Sequence, residues 1–260
     1  MILRRLGNKT KIAAEIQKHF PAHKIYIEPF FGAGGIFFNK PKAEHSILND
    51  IDSEVINLFL VITEQYDKFY SYVEKMPYCS DLLEYWKKNE ETEPIKKAAR
   101  FCFISNLTLL GTGQSLRYDN RFHRQNLISG IHTTNDFLMN TSFKFNNKDF
   151  RKFIKEISLS EQRSIDSAFF YADPPYLETT DNYSHSFTET DSNDLFDCLT
   201  ETGCKFAISE FNHPFILEQA KQRNLNVITI GERQNLKNRR TEILVTNYRN
   251  HATLFDCLNP

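Results

Sequence analysis

The segment from Ile25 to Asp50 constrains the fold most. A short apolar run, Ile25-Tyr26-Ile27, passes directly into Glu28-Pro29-Phe30-Phe31-Gly32-Ala33-Gly34-Gly35. A second run, Ser46-Ile47-Leu48-Asn49, stops on Asp50. Runs this short and apolar suit strands buried in a sheet. The glycines allow a tight turn and let the backbone approach a ligand where side chains would clash. Asp52 then stands as the N-cap of a helix whose apolar face is Val55, Ile56, Phe59 and Leu60. Strand, glycine turn, helix, strand, acid, helix is the opening of a doubly wound α/β domain. Ahead of it, Ile12, Ile16 and Phe20 recur at helical spacing after Thr10, a candidate N-cap, and Pro21 closes the run.

The alternation stops at about residue 62. Aromatic-rich helical stretches (Tyr66 to Met76, Asp81 to Asn89, Ile95 to Leu110) lead into a polar segment, Gly111 to His132. Strands return with Phe143-Lys144-Phe145, the run Ala168 to Ala172, Lys205 to Ser209, Asn226 to Ile230 and Glu242 to Tyr248. Helices fit between them at Asp191 to Glu201 and Pro214 to Arg223, the latter with Pro in its first turn. The expectation is a Rossmann-like α/β sheet of seven strands with an inserted helical domain. Residues 1–61 and 143–260 would form the sheet domain and residues 62–142 the insertion.

Composition excludes several classes. With 23 Phe, 11 Tyr and 40% hydrophobic residues, the chain is no solvated coil. A formal net charge of −1 supplies no general attraction to nucleic acid, so such a partner must meet a local basic face. The five cysteines (Cys79, Cys102, Cys198, Cys204, Cys257) form no CxxC pair and no zinc-ligand spacing. Reduced, mostly buried thiols are expected, with no metal. The N-terminus lacks a signal-peptide core, and no run approaches the roughly 18 apolar residues of a membrane span. A cytoplasmic protein without a membrane partner is expected.

The residues richest in chemistry are Asp173-Pro174-Pro175-Tyr176, directly after the apolar run ending at Ala172. Ligands of open α/β sheets bind at the carboxyl ends of strands, which is where this tetrapeptide falls. Two prolines fix the backbone and remove two amide donors. A rigid set of acceptors remains: the Asp173 carboxylate and the carbonyls around Pro174. Such a set suits an –NH₂ group held by both hydrogens, as in adenine, whose amino lone pair is otherwise delocalised into the ring. Tyr176 adds a flat face for a base to stack on. A plain strand-ending turn would also use Asp and Pro. Asp50, ending the next strand after the glycine turn, stands where a ribose diol is usually held, which favours a nucleoside-containing cofactor.

Gly7-Asn8-Lys9, the Glu28–Gly34 run, Asp50 and Asp173–Tyr176, in this order, resemble the Dam-type (D12 class) DNA adenine methyltransferases, the phage-type members most closely. The resemblance covers residues 7–58 and 143–250. It implies S-adenosylmethionine as cofactor and transfer of its methyl group to the N6 amine of adenine, with Asp173, Pro174, Pro175 and Tyr176 catalytic. It also implies that Lys9, Glu28, Pro29, Phe30, Gly32 and Gly34 border the cofactor's methionine part. Asp50 would take the ribose hydroxyls, Asp149 and Phe150 would flank the cofactor adenine, and Asp173 would border the cofactor as well as the amine. Arg5 departs from the pattern, standing where the family often has an aromatic ahead of Gly-Asn-Lys. The segment Ser105 to Gly113 departs from the family's recognition segment, so the target sequence is not carried over.

Double-stranded DNA is the implied partner, and a cognate restriction endonuclease is a candidate second one. A duplex target implies base flipping, because a paired, stacked adenine cannot present its amine. The polar loop Leu177 to Thr188, bearing Tyr183 and Phe187, is the candidate cover for the flipped base. Arg117, Arg121, His123 and Arg124, interleaved with Tyr118 and Phe122, would form a DNA-reading strand pair or loop. A second basic cluster, Arg233, Lys237, Arg239 and Arg240, precedes the last strand. Two alternatives remain at this level. One is an N4-cytosine methyltransferase, against which Asp rather than Ser at 173 tilts. The other is an inactive DNA-binding relative, against which the intact motifs stand.

Overall fold

The computed structural model describes residues 2–3, 9–117, 120–159, 161–177, 187–234 and 239–249. Arg5, Gly7, Asn8, Tyr118, Tyr183, Lys237 and Cys257 lie outside the described residues. In chain order the elements are α1 (Ala13–Gln17), β1 (Ile25–Glu28), β2 (His45–Asn49), α2 (Ser53–Glu64), α3 (Tyr66–Lys75) and α4 (Ser80–Lys88). Then come α5 (Pro94–Leu107), α6 (Asn120–Met139), β3 (Phe143–Asn146), α7 (Phe150–Glu156), α8 (Gln162–Ser167) and β4 (Ala168–Ala172). The last are α9 (Glu189–Glu201), β5 (Lys205–Phe211), α10 (Pro214–Gln222), β6 (Asn226–Gln234) and β7 (Arg239–Thr246). The seven strands make one sheet in the order β3-β2-β1-β4-β5-β7-β6. This is the expected Rossmann-like sheet, with the strand order reversing between β1 and β4.

By packing, the chain divides into two compact units. One comprises Ile12–Phe30, Ala43–Ile47 and Asp149–Pro260. In it β4 lies parallel between β1 and β5, β7 pairs antiparallel with β5, and β6 pairs antiparallel with β7. All five residues of β4 are buried, as a strand covered on both faces requires. Each of its two phenylalanines contributes about 1.5–3 kcal/mol by leaving water. One face is wholly apolar: Ile27, Phe170, Ala172, Ile208, Ile243 and Val245 pack in a core with Phe153, Phe196, Leu199 and Ile216 from the helices. Side chains alternate along a strand, so Tyr26, Glu28, Tyr171, Ser209 and Glu242, all buried, share the opposite face. There Phe20 packs on Phe169 at 4.7 Å between ring centroids.

The other unit comprises Met1–Lys11, Phe31–Lys42 and Leu48–Lys148. Its centre is aromatic: the Phe31 ring meets Phe59 at 5.0 Å, Phe145 at 5.3 Å and Phe37 at 5.7 Å. Asp52 caps α2 as expected, its side chain accepting the Glu54 N–H at 2.9 Å. Glu93 caps α5 and Pro94 fills its first turn. Along α6, Leu127, Ile131, Thr134 and Leu138 are buried, a narrow stripe on a polar helix.

Four sequence expectations are corrected. Thr10 is not an N-cap: it lies inside a 3-10 turn, Lys9–Lys11, and α1 starts at Ala13 without a side-chain cap. The helix expected after the glycine turn is only a 3-10 turn, Phe37–Asn39. Lys40 is extended, as a residue before proline prefers, and Pro41 ends the run. Leu60 is 37% exposed, and the α2 face runs instead through Val55, Ile56, Phe59 and Ile62. Finally, among the described residues the basic segment Arg117–Arg124 shows no strand pair: α6 begins at Asn120, and the pairing described there is a single bridge, Thr108 to Leu116.

Candidate active site

The glycine turn is built by its own backbone. Phe31 N–H donates to the Asn49 carbonyl, and Gly34 N–H to the Phe31 carbonyl, both at 2.8 Å. Gly32 and Gly34 have φ of +54° and +70°, a conformation that L side chains resist. An added Cβ at Gly32 would meet nothing within 4 Å, so the backbone there is open to close approach by a ligand. Asp50 completes the turn. Its carboxylate takes the Gly32 N–H at 2.6 Å through Oδ2 and the Asp52 N–H at 2.8 Å through Oδ1. These two bonds fix the orientation of an acid that remains partly exposed. Lys9, in the same unit, is buried despite its charge.

In the other unit, Asp173, Pro174, Pro175 and Tyr176 leave the carboxyl end of β4 as irregular chain, with Asp173 partly exposed and Pro174 buried. The Tyr176 hydroxyl donates to Glu242 Oε1 at 2.5 Å. Its ring meets Phe211 edge to face at 4.4 Å between centroids. Burial, then the negative charges of Asp173 and Glu242, push the Tyr176 phenol well above its usual pKa. At the end of β1, buried Glu28 accepts the Tyr26 hydroxyl at 2.9 Å. Tyr171 and Ser209 share a hydroxyl–hydroxyl bond at 2.8 Å. Burial is also the main cause raising the Tyr26 and Tyr171 phenols. Pro29 is buried beside Glu28.

Asp149 is the N-cap of α7, its side chain accepting the Arg151 N–H at 2.9 Å. Phe150 is buried against Phe30 (5.3 Å) and Phe187 (5.9 Å). The Arg151 guanidinium lies 4.4 Å from the centre of the Phe150 ring. It also pairs with Asp149 at 3.3 Å, with Asp194 at 2.6 Å, and with Asp191. Asp191 and Thr188 form a capping box at the start of α9. Sequence reasoning missed Arg151, Ser209 and Glu242. Polar residues at alternate positions of otherwise apolar strands were the available signal for the last two.

The arginines expected to read DNA do not come together as a hairpin. Arg117 Nε donates to the Thr108 carbonyl at 2.9 Å, and its own carbonyl accepts the Tyr78 hydroxyl at 3.0 Å. Arg121 falls in the first turn of α6. Arg124 donates to the Glu74 carbonyl. Of the second cluster, Arg233 lies on β6, ahead of the last strand, whereas Arg239 and Arg240 lie in that strand itself; the antiparallel register sets Arg233 opposite Arg240 and Gln234 opposite Arg239. Among the described residues, no group of three His, Cys, Asp or Glu could hold a metal ion. No described helix is long and apolar enough to cross a membrane.

Residues 6–241 match the model of the D12 class N6 adenine-specific DNA methyltransferases. The type II methyltransferase M1.LlaDCHI of Lactococcus lactis subsp. cremoris is 25% identical over 94% of this chain and 94% of its own length. A DNA adenine methylase of Escherichia coli (strain K12) is 24% identical over 88% of this chain and 86% of its own. That of Haemophilus influenzae is 28% identical over 67% and 63%. The family takes its methyl group from S-adenosylmethionine. The motifs, the sheet and a family match over most of the chain agree: the chain belongs to the D12 class of N6 adenine-specific DNA methyltransferases.

Proposed function

We propose that Asp173–Tyr176 hold the N6 amine of one specific adenine, turned out of duplex DNA, for methylation. The observation that carries this is the proline-fixed array of acceptors at the end of β4, beside the reversal of strand order, with Tyr176 anchored by Glu242. The Asp173 carboxylate and the Pro174 carbonyl would each accept one amine hydrogen. Held so, the nitrogen becomes pyramidal and its lone pair is directed outward. Tyr176 would support the base by stacking, at about 1–3 kcal/mol per base. S-adenosylmethionine, when bound, supplies an electrophilic methyl group.

The chain's residues fit that cofactor. The open side of Gly32 accommodates a ligand close to the backbone, and Asp50, oriented by two N–H groups, offers acceptors to a ribose diol. Lys9, Gly34, Glu28, Pro29 and Phe30 would border the methionine part, and Asp149 and Phe150 the adenine. Residues 62–142, with Arg117, Arg121 and Arg124, would read the DNA target. One relative's name, type II methyltransferase, supports a restriction endonuclease of the same specificity as a partner. Sequencing DNA methylated in vitro for modified adenines gives the site. Replacing the target adenine there by 2-aminopurine then tests flipping. A rise in fluorescence on binding is expected, and no change would reject it.

A further inference from the structure

We propose that Glu242 is a positioning residue for methyl transfer, holding the Tyr176 ring at the angle that receives the target base. The inference rests on the reading of Tyr176 as the base's platform. Glu242 is 1% exposed on β7. Its backbone lies opposite Phe211 in the β5–β7 register, so the two side chains share a face of the sheet. Tyr176 touches both. Its hydroxyl donates to the Glu242 carboxyl group at 2.5 Å, and its ring meets Phe211 at 4.4 Å. The Arg240 guanidinium in turn lies 5.5 Å from the centre of the Phe211 ring.

A carboxyl group is a costly choice at this position. Leu244, two residues on and facing the same way, fills that face without a polar atom, and a leucine at 242 would avoid the desolvation of an acid. Burial alone would equally have favoured phenylalanine at 176. What the Tyr–Glu pair adds is direction. The second side-chain torsion of an aromatic residue is broad, so ring packing by itself lets the ring rock. A short bond from the hydroxyl to a strand-borne acceptor removes that freedom. The neighbouring hydroxyl pair, Tyr171 and Ser209, ties β4 to β5 on the same face, so the strand that leads into Asp173 and the strands that carry Phe211 and Glu242 are held in one register.

The test is steady-state kinetics of the full chain on duplex DNA for Glu242→Gln, Glu242→Asp, Glu242→Leu, Tyr176→Phe, Tyr176→Ala and the Glu242→Leu/Tyr176→Phe double variant. Gln keeps an acceptor in place, whereas Asp keeps the charge but withdraws it by about one carbon–carbon bond, ~1.5 Å. S-adenosylhomocysteine binding reports folding. If Glu242→Leu does not fold, Glu242→Asp carries the comparison. The expected result is a kcat lowered about tenfold in Glu242→Asp, Glu242→Leu and Tyr176→Phe, the loss of one buried hydrogen bond. The KM for S-adenosylmethionine should stay unchanged, Glu242→Gln should recover most of the rate, and the double variant should fall no lower than either single one. Multiplicative losses in the double variant, or wild-type kcat in Glu242→Asp and Glu242→Leu beside a slow Tyr176→Phe, would overturn the inference alone. Wild-type kinetics in Tyr176→Ala would instead remove Tyr176 from the site, and the underlying reading with it.

Discussion

Substituting alanine at each of the two positive-φ glycines of the first turn should separate packing from ligand access. Either position costs an L residue about 1–2 kcal/mol for left-handed backbone. They differ in what the new methyl meets. At Gly34 a Cβ would lie 2.5 Å from Phe38 Cε2, 2.6 Å from its Cδ2 and 2.8 Å from Phe31 Cζ. Phe38 has little room to retreat, with Phe37 and Phe137 at 5.1 Å and Phe59 stacked at 5.8 Å. Overpacking of this kind costs about 1–3 kcal/mol. Gly34→Ala should therefore destabilise the chain by about 2–5 kcal/mol and Gly32→Ala by about 1–2 kcal/mol. At Gly32 the methyl enters the open space proposed to admit the cofactor. Its larger effect should be on S-adenosylhomocysteine affinity. Denaturant unfolding and calorimetric titration of both variants provide the check. Equal stability losses, or undiminished affinity in Gly32→Ala, would refute the reasoning.

Asp50→Ala removes the acceptor of the Gly32 and Asp52 N–H groups, and should weaken S-adenosylhomocysteine binding by about 1.5–3 kcal/mol. The rate at saturating cofactor should fall less; an unchanged dissociation constant would reject the ribose role. Arg151→Ala loses the ties to Asp149, Asp191 and Asp194 and should cost about 1 kcal/mol of stability, since the group is partly exposed. Arg151→Lys should restore only part of it, lacking the guanidinium's fork; full restoration, seen in the unfolding curves, would argue for charge alone. Alanine at Arg117, Arg121 or Arg124 should leave cofactor binding intact. Each lost phosphate contact should lower the salt slope of log DNA affinity by about 0.9. Wild-type slope and sequence preference in all three would move the DNA-reading surface elsewhere.

The sheet was legible because buried strands announce themselves. Ala168 to Ala172 is an unbroken apolar run, and Asp52 before Val55, Ile56 and Phe59 marks a helix start at the cap itself. The long helix α6 was not legible. It buries few side chains (Leu127, Ile131, Thr134 and Leu138 among them) along a 20-residue polar span, too narrow a stripe for periodicity to reveal. Around the glycine turn, the chemistry-bearing residues were readable and the local structure was not. Pro41 limits the expected helix to one 3-10 turn, a consequence of backbone sterics that the apolar pattern Ile36-Phe37-Phe38 conceals. The supports of the motif residues were hidden for a third reason. Glu242 is 66 residues from Tyr176, and Arg151 is 40 from Asp191, so only the strand register and helix packing bring them together.

The most direct measurement of the central claim is product analysis. Duplex DNA is incubated with the chain and methyl-labelled S-adenosylmethionine, digested to nucleosides, and separated, with Asp173→Asn run in parallel. An asparagine amide turned with its N–H toward the amine would present a donor where an acceptor is needed. Label in N6-methyldeoxyadenosine is expected for the wild type. Asp173→Asn should lose turnover by at least about tenfold, with S-adenosylhomocysteine affinity largely kept. Label in N4-methyldeoxycytidine, or full turnover by Asp173→Asn, would contradict it.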